Sequence, residues 1–438
     1  MVVIFRRGRD DDDDDDVDED EEDLELVLFQ GAVNGNTADL SKHGRLVQAA
    51  LIPAKKLVTD ALARRAEMVR IEPKGKLSTS TYFVDGISYP GDRMPGPAAL
   101  GITQMLKLLA GLDPNVRDKP QSGGINSSYD EKSYEVRIDN QPVQGGAERL
   151  IVRWQDPDVT LDTPSDLGFD EALVEKIREY AKKKTGLILV AGPPLGGVTT
   201  LAKATVRCVD AYLYSVYCLA HLEKEMSHIR TFQSLEGDTL DQTITRALRE
   251  DADVLFVDPI RDPDTAKTIL DKSERAAFVA EFPAKDAADA ISRLVKLSGD
   301  PKLVAGKLKL VISQMLIRLL CKKCRHAFRP NPRLLGKIGL PPTTKVLYRP
   351  PREDEEEEEE DVCERCGGTG YYGRTGLIEA IEVTDGIKKV ILSGANPDAL
   401  RQQARAEKMQ SFQSDGLRVA AEGRTSLEEL QRAFKAAR

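Results

Sequence analysis

Apolar positions change period several times along this chain, and each change marks an element. From Arg45 to Arg70 they fall at helical spacing (Leu46, Ala49, Leu51, Leu57, Ala61, Ala63, Met68), which predicts helices. Residues 70–95 alternate as strands do, with breaks expected at Asp85-Gly86 and Pro90-Gly91. Pro97 to Leu112 reads as a helix closed by Gly111 and Pro114. Strand character returns over 130–155, with Tyr134, Val136 and Ile138 on one face and Leu150, Val152 and Trp154 on another. Pro157 to Pro164 reads as a linker. From Leu167 to about Leu320 the pattern is strand–helix–strand. Leu187–Ala191 and Val254–Val257 are short, wholly apolar runs suited to a buried parallel sheet, and Leu240–Arg249 and Asp286–Lys296 are helix candidates. Residues 376–438 read as amphipathic helices.

Composition narrows the class. The 438 residues suffice for two to four domains, and 41% apolar content fits a globular protein. No stretch approaches the ~20 apolar residues of a membrane span. Arg6, Arg7 and Arg9 are followed by acid, not by an apolar stretch, so no secretory signal is read and a cytoplasmic place is expected. The net charge of −9 comes from two runs, Asp10–Asp23 and Glu353–Asp361; outside them 63 bases face 50 acids. Such runs repel themselves, so solvated, disordered segments are expected. The mildly basic remainder suits an anionic lipid surface, an acidic partner or a nucleotide.

Two motifs carry candidate chemistry. Residues 186–201 read GLILVAGPPLGGVTTL, an apolar run, a glycine-rich turn and a helix-compatible stretch. The spacing is that of a phosphate loop, with Gly192, Gly197, then Val198 where the lysine belongs, then Thr199 and Thr200. Gly192, Gly196 and Gly197 would supply the backbone cradle, and Thr199 a metal-binding hydroxyl. The same letters also fit a Gly/Pro turn joining a strand to a helix. The next apolar strand ends at Asp258, placed to hold Mg²⁺ through water, but Pro259 follows it. A strand-ending Asp in a turn reads equally well.

Cys321-Lys-Lys-Cys324 and Cys363-Glu-Arg-Cys366 form two C-x-x-C pairs, the donor set of one tetrahedral structural Zn²⁺. Cys208 and Cys218 stand alone in apolar, helix-like sequence as buried thiols. His43, His221, His228 and His326 do not cluster by spacing; ordinary surface or core places are expected, with His326 also a candidate to support a metal ligand.

In order along residues 45–438, the chain resembles the ATPases of type II secretion and type IV pilus assembly. Arg70-Ile-Glu-Pro73 and Val84-Asp-Gly-Ile87 look like the start of that family's N-terminal domain. Lys107-Leu-Leu-Ala-Gly-Leu-Asp113, followed by Pro120-Gln-Ser-Gly-Gly124, is similar to its next segment. Glu148-Arg149 through Arg153 resembles its strand before the linker, and Ile260-Arg-Asp-Pro-Asp-Thr-Ala266 its segment after Walker B. Gln314 to Cys321, Gly370 to Glu379, and Gly423 to Glu429 are similar to its later signatures. The departures fall where that family does its chemistry. The lysine is Val198, the Walker-B glutamate falls on Pro259, and Ala277 and Ala284 stand where its histidine box is expected. Its acidic box falls near Ala220–Lys224.

The resemblance implies an α/β protein: a PAS-like N-terminal domain, a RecA-like phosphate-loop core, and a helical, zinc-binding C-terminal region. The expected divisions are 1–44, a disordered acidic segment; 45–156, the PAS-like domain; 165–320, the core; and 321–438, the cysteine region with the acidic insertion 353–361. It implies a structural Zn at Cys321, Cys324, Cys363 and Cys366, with ATP and Mg²⁺ held weakly at Gly192, Pro193, Gly196, Gly197, Val198, Thr199, Thr200 and Asp258. Arg137, Arg149 and Arg153 would reach a neighbouring subunit's phosphates. No residue is assigned a catalytic role. The implied setting is a homo- or hetero-hexamer with a related ATPase, peripheral at the inner membrane beneath a platform protein, with no nucleic acid. The implied function is a hydrolysis-impaired ring subunit. An active motor using Asp258 with Lys203, and an adaptor that binds no nucleotide, remain the alternatives.

Overall fold

The structure is a computed structural model that describes residues 25–36, 38–155, 161, 163–193, 196–222, 226–352 and 362–436. The acidic runs at Asp10–Asp23 and Glu353–Asp361 lie outside these residues. The chain divides into two compact units, one built on residues up to 160 and one taking most of the chain from Leu161 onward.

The first unit is an antiparallel sheet with two helices on one face. Its strands are β1 (Leu28–Ala32), β2 (Met68–Lys74), β3 (Leu77–Val84), β4 (Ile87–Pro95), β5 (Gln121–Tyr129), β6 (Lys132–Pro142) and β7 (Glu148–Gln155), in the spatial order β1-β5-β6-β7-β2-β3-β4. Helices α1 (Gly44–Ala63) and α2 (Gly96–Leu109) pack Ala54, Val58, Ile102 and Met105 against Ile71, Val136, Ile138 and Val152. Val136 faces Trp154 across the β6–β7 pair and Ile138 faces Val152, so the two expected apolar sets share one face of the sheet. The opposite face carries Arg137, Arg153 and Arg149, which the register sets on neighbouring strands. Lys107 is wholly buried, and its ammonium donates to Glu148 at 2.6 Å and to the Val116 carbonyl at 2.5 Å. That pairing satisfies a charge which alone would be costly to bury.

The second unit is a mixed sheet covered on both faces. Its strands are β8 (Gly186–Gly192), β9 (Val216–Cys218), β10 (Arg230–Thr231), β11 (Val254–Val257), β12 (Ala277–Pro283) and β13 (Leu308–Leu320). The two-stranded pair β14 (His326–Phe328) and β15 (Leu347–Arg349) and the long β16 (Tyr371–Glu382) follow. The large sheet has the order β10-β9-β11-β12-β8-β13-β16, parallel except where β16 runs against β13. Helices α3 (Glu171–Lys182) and α4 (Val198–Arg207) cover one face. Helices α5 (Leu240–Arg249), α6 (Pro263–Lys272) and α7 (Ala287–Ser298) cover the other. Every residue of β8 and β11 is buried. Ile188 and Val190 turn to α3 and α4, while Leu187 and Leu189 turn to the other face, which is why both runs are apolar throughout.

Several expectations are corrected. Met68 to Arg70 belong to β2, not to a helix. Pro90-Gly91 does not end a strand; the register shift between Thr79 and Thr81 absorbs it within β4. Residues 376–382 are strand, not helix, because they pair along β13. Cys218 lies on β9 rather than in helical sequence. Within 1–44, the described part is not loose: β1 pairs with β5, and Asp39 caps a short 3-10 helix at Leu40–His43.

Candidate functional site

The phosphate-loop segment leaves the carboxyl end of β8 and enters α4, the position where open α/β sheets hold ligands. Residues 194 and 195 lie outside the described set. Gly197 caps α4 in the left-handed conformation, with φ 75°, where a Cβ would come 2.7 Å from Gln314 Nε2. Gln314 reaches in from β13, almost wholly buried, and its side-chain N–H donates to the Gly196 carbonyl at 2.7 Å. At Gly192 a Cβ would come 2.8 Å from Val198 Cγ2. The tight spacing of the loop is therefore demanded by the chain's own packing, whatever ligand it meets.

Val198 opens α4 and packs against the apolar cluster of Ile188, Val190 and Leu201. A lysine at a phosphate loop extends a charge to the ligand. This side chain serves the interior beneath the loop and brings no charge. Thr199 and Thr200 follow in the first turn, and the Thr199 hydroxyl donates to Glu281 Oε2 at 3.1 Å. Glu281 stands on β12, which lies between β8 and β11, so its side chain stands beside the loop.

Asp258 lies just beyond the end of β11, and its carboxylate is engaged by His221. The His221 main-chain N–H donates to Oδ1 at 2.8 Å, and the ring Nδ1 lies 2.5 Å from Oδ2. His221 thus belongs to the loop's surroundings, a pairing that spacing alone did not suggest. Burial pushes the Glu281 carboxyl above the usual range. The Thr199 hydrogen bond opposes that shift, Asp258 adds to it, and Lys203 and Arg261 oppose it. Glu281 was not among the residues singled out by sequence. The signal was present: an acid near the end of an otherwise apolar run, Ala277-Phe-Val-Ala-Glu-Phe282, at the carboxyl end of a parallel strand.

The four cysteines of the two pairs come together. Their sulfurs all lie within 4.8 Å of one another, with Cys321 and Cys366 buried and Cys324 and Cys363 half-buried. Four thiolates around one Zn²⁺ at ~2.3 Å would stand about 3.8 Å apart, so the donor set fits a closed tetrahedral site with little movement. The Cys321 and Cys363 carbonyls accept the Arg325 and Gly367 N–H groups at 3.0 and 2.7 Å, which fixes both turns. Cys208 and Cys218 are buried apart from this group; burial raises the Cys208 thiol to about 12.

The three arginines belong to the first unit, and each has a carboxylate beside it. Arg137 bonds Glu135 at 2.6 Å, Arg149 bonds Glu72 at 2.5 Å, and Arg153 bonds Asp139. No helix among the described residues is long and apolar enough to cross a membrane.

A family model described as "Type II/IV secretion system protein" matches residues 44–432. The type IV pilus assembly ATPase PilB of Thermus thermophilus is 27% identical over 86% of this chain, which covers 42% of that relative. The type II secretion system protein HxcR of Pseudomonas aeruginosa is 29% identical over 86% of this chain and 75% of its own length. The chain thus spans less than half of one curated relative and three quarters of the other. Among solved structures, the ATPase DotB of Yersinia pseudotuberculosis aligns with a TM-score of 0.55 at 14% identity, over 87% of this chain and 92% of that one. DotB of Legionella pneumophila gives 0.52 at 15% identity, over 88% and 96%. Both support the α/β, RecA-like fold. With its match across nearly the whole described chain, this protein belongs to the type II/IV secretion system protein family.

Proposed function

We propose that this chain is a ring subunit of a type II secretion or type IV pilus assembly machine whose nucleotide pocket keeps its frame but does not turn ATP over at a useful rate. The observation that carries this reading is Val198, half-buried against an apolar cluster at the lysine position, together with Pro259 at the position of the Walker-B glutamate. Phosphoryl transfer is catalysed almost wholly by placed charge, and these two substitutions remove a cation and an acid. The loop's amides, Thr199 and Glu281 would hold nucleotide phosphates with Mg²⁺, weakly for want of the ammonium. The metal would supply the positive charge there.

Cys321, Cys324, Cys363 and Cys366 would hold one structural Zn²⁺, which orders their two turns and takes no part in chemistry. The first unit is the PAS-like domain, and its arginine-bearing sheet face is the surface for the neighbouring subunit in a hexamer. The ring would include either copies of this chain or an active relative. It would sit at the cytoplasmic side of the inner membrane under a platform protein.

Purified full-length chain should bind a nucleotide while releasing phosphate at background rate. A turnover near about 1 s⁻¹, the low end for phosphotransfer enzymes, would overturn the reading.

A further inference from the structure

Two acids stand at the carboxyl edge of the parallel sheet near the loop, and they do different things. Asp258 is held by His221 through both carboxylate oxygens, at 2.8 and 2.5 Å. Glu281 accepts the hydroxyl of Thr199, the second residue of α4, at 3.1 Å. The sheet order makes this contact. Because β12 lies directly against β8, an acid near its end meets the start of α4, while the end of β11 is one strand further away. Residues 258 and 281 are thereby sorted: one to His221, one to the loop.

We infer that Glu281, rather than Asp258, is the acid that positions a divalent cation at this loop. The inference rests on the reading of the loop as a nucleotide-phosphate site. A hydroxyl has one proton and two lone pairs. By accepting the Thr199 proton, Glu281 leaves that oxygen's lone pairs free for a metal. Its own charge adds to the attraction. Val198 makes the metal matter more than in a lysine-bearing loop. With no ammonium on the phosphates, the divalent cation becomes the main charge that offsets them. Nucleotide should therefore bind this chain more tightly as its metal complex than without metal. Glu281 acts here as a positioning residue.

The test is a titration of the full chain with a fluorescent N-methylanthraniloyl-ADP, with 5 mM Mg²⁺ (an assay setting of about millimolar order) and with the metal chelated by a carboxylate chelator after zinc content has been checked. Affinity should rise about tenfold or more with Mg²⁺ in the unaltered chain, a difference of ~1.4 kcal/mol. Glu281→Gln keeps a group that can accept the Thr199 proton but loses the charge; it should abolish most of that metal enhancement. Asp258→Asn should retain most of it. An enhancement that survives in Glu281→Gln and falls in Asp258→Asn overturns the assignment. So does a Glu281→Gln chain that binds more tightly than the unaltered one with and without metal, because the carboxylate then competes with phosphate. Should the unaltered chain bind too weakly to measure, the same pair of substitutions is read on a Val198→Lys background. Failure of Val198→Lys to bind any nucleotide overturns the phosphate-loop reading itself, a result distinct from a metal effect that ignores Glu281. Thermal melting of each variant, unchanged within a few degrees, shows that the fold is intact.

Discussion

The cysteine cluster and the phosphate loop are both ligand sites written in short motifs, and they stand in opposite states. All four thiols are present, and their sulfurs lie within 4.8 Å of one another. The loop has its glycines and its hydroxyl, but the half-buried Val198 packs against an apolar cluster at the lysine position and Pro259 stands at the acid's position. The difference lies in what each residue does for the fold. A structural metal site has no redundant ligand, since losing one thiolate opens the shell. Side chains at Gly192 and Gly197 would meet Val198 and Gln314 whether or not phosphate arrives, so packing alone calls for these glycines. A preserved backbone motif is therefore weak evidence for chemistry, and a complete donor set is strong evidence for a bound metal.

The largest effect that sharpens this contrast is on the cysteine side. Cys321→Ser should lose the bound Zn²⁺ and loosen residues 321–376 by several kcal/mol, while the sheet of the first unit stays folded. Hydrogen exchange with metal analysis reads both. Cys208→Ser should keep the metal, and a chain in which Cys208→Ser loses zinc breaks the assignment.

Next comes an acid outside both sites. Glu379 on β16 is half-buried with its carboxylate on the Ala287 N–H, and desolvation raises it to about 7 from an ordinary 4.5, with Asp286 adding to the shift and Arg401 and Arg405 opposing it. Between those two values the folded chain holds a proton that the unfolded chain does not. Stability should then fall as pH rises from 4.5 to about 7, by up to about 3 kcal/mol, and level off above. Glu379→Gln should flatten that part of the profile in denaturant melts at a series of pH values. An unchanged slope would show that the strain lies elsewhere than in this core.

A smaller effect is expected at the loop. Val198→Lys should tighten nucleotide binding by about 2 kcal/mol, the worth of a hydrogen bond to a charged group, without restoring turnover because Pro259 remains. The smallest concerns the arginines. Arg149 is partly exposed and paired with Glu72, so Arg149→Ala should change folding stability by under about 1 kcal/mol. Its expected effect is on association, read as mass in solution with and without nucleotide. A chain that is monomeric throughout and also ignores an active relative breaks the ring-subunit reading.

How far the sequence carried depends on burial. The runs at β8 and β11 were legible because both faces of the sheet are covered, which leaves a wholly apolar signature. Helix α5 matched Leu240–Arg249, where the Thr239–Gln242 capping box marks its start. Polar strands escaped: β5 is rich in Ser, Gly and Asn, and β1 is a short edge strand paired to it. Residues 376–382 of the antiparallel partner β16 carry no local strand signal, because their pairing with β13 joins residues far apart in sequence. At the site, the motif residues were found but their roles were not. That Glu281 meets Thr199, and that Asp258 is held by His221, follows from strand order, which no local pattern encodes.

On the proposed reading the pocket binds nucleotide without turning it over. Nucleotide affinity with and without Mg²⁺, and phosphate release, measured on one preparation of the full chain, test it most directly. Mg²⁺-dependent binding with release at background is the expected result. Release at about 1 s⁻¹ or faster would contradict it.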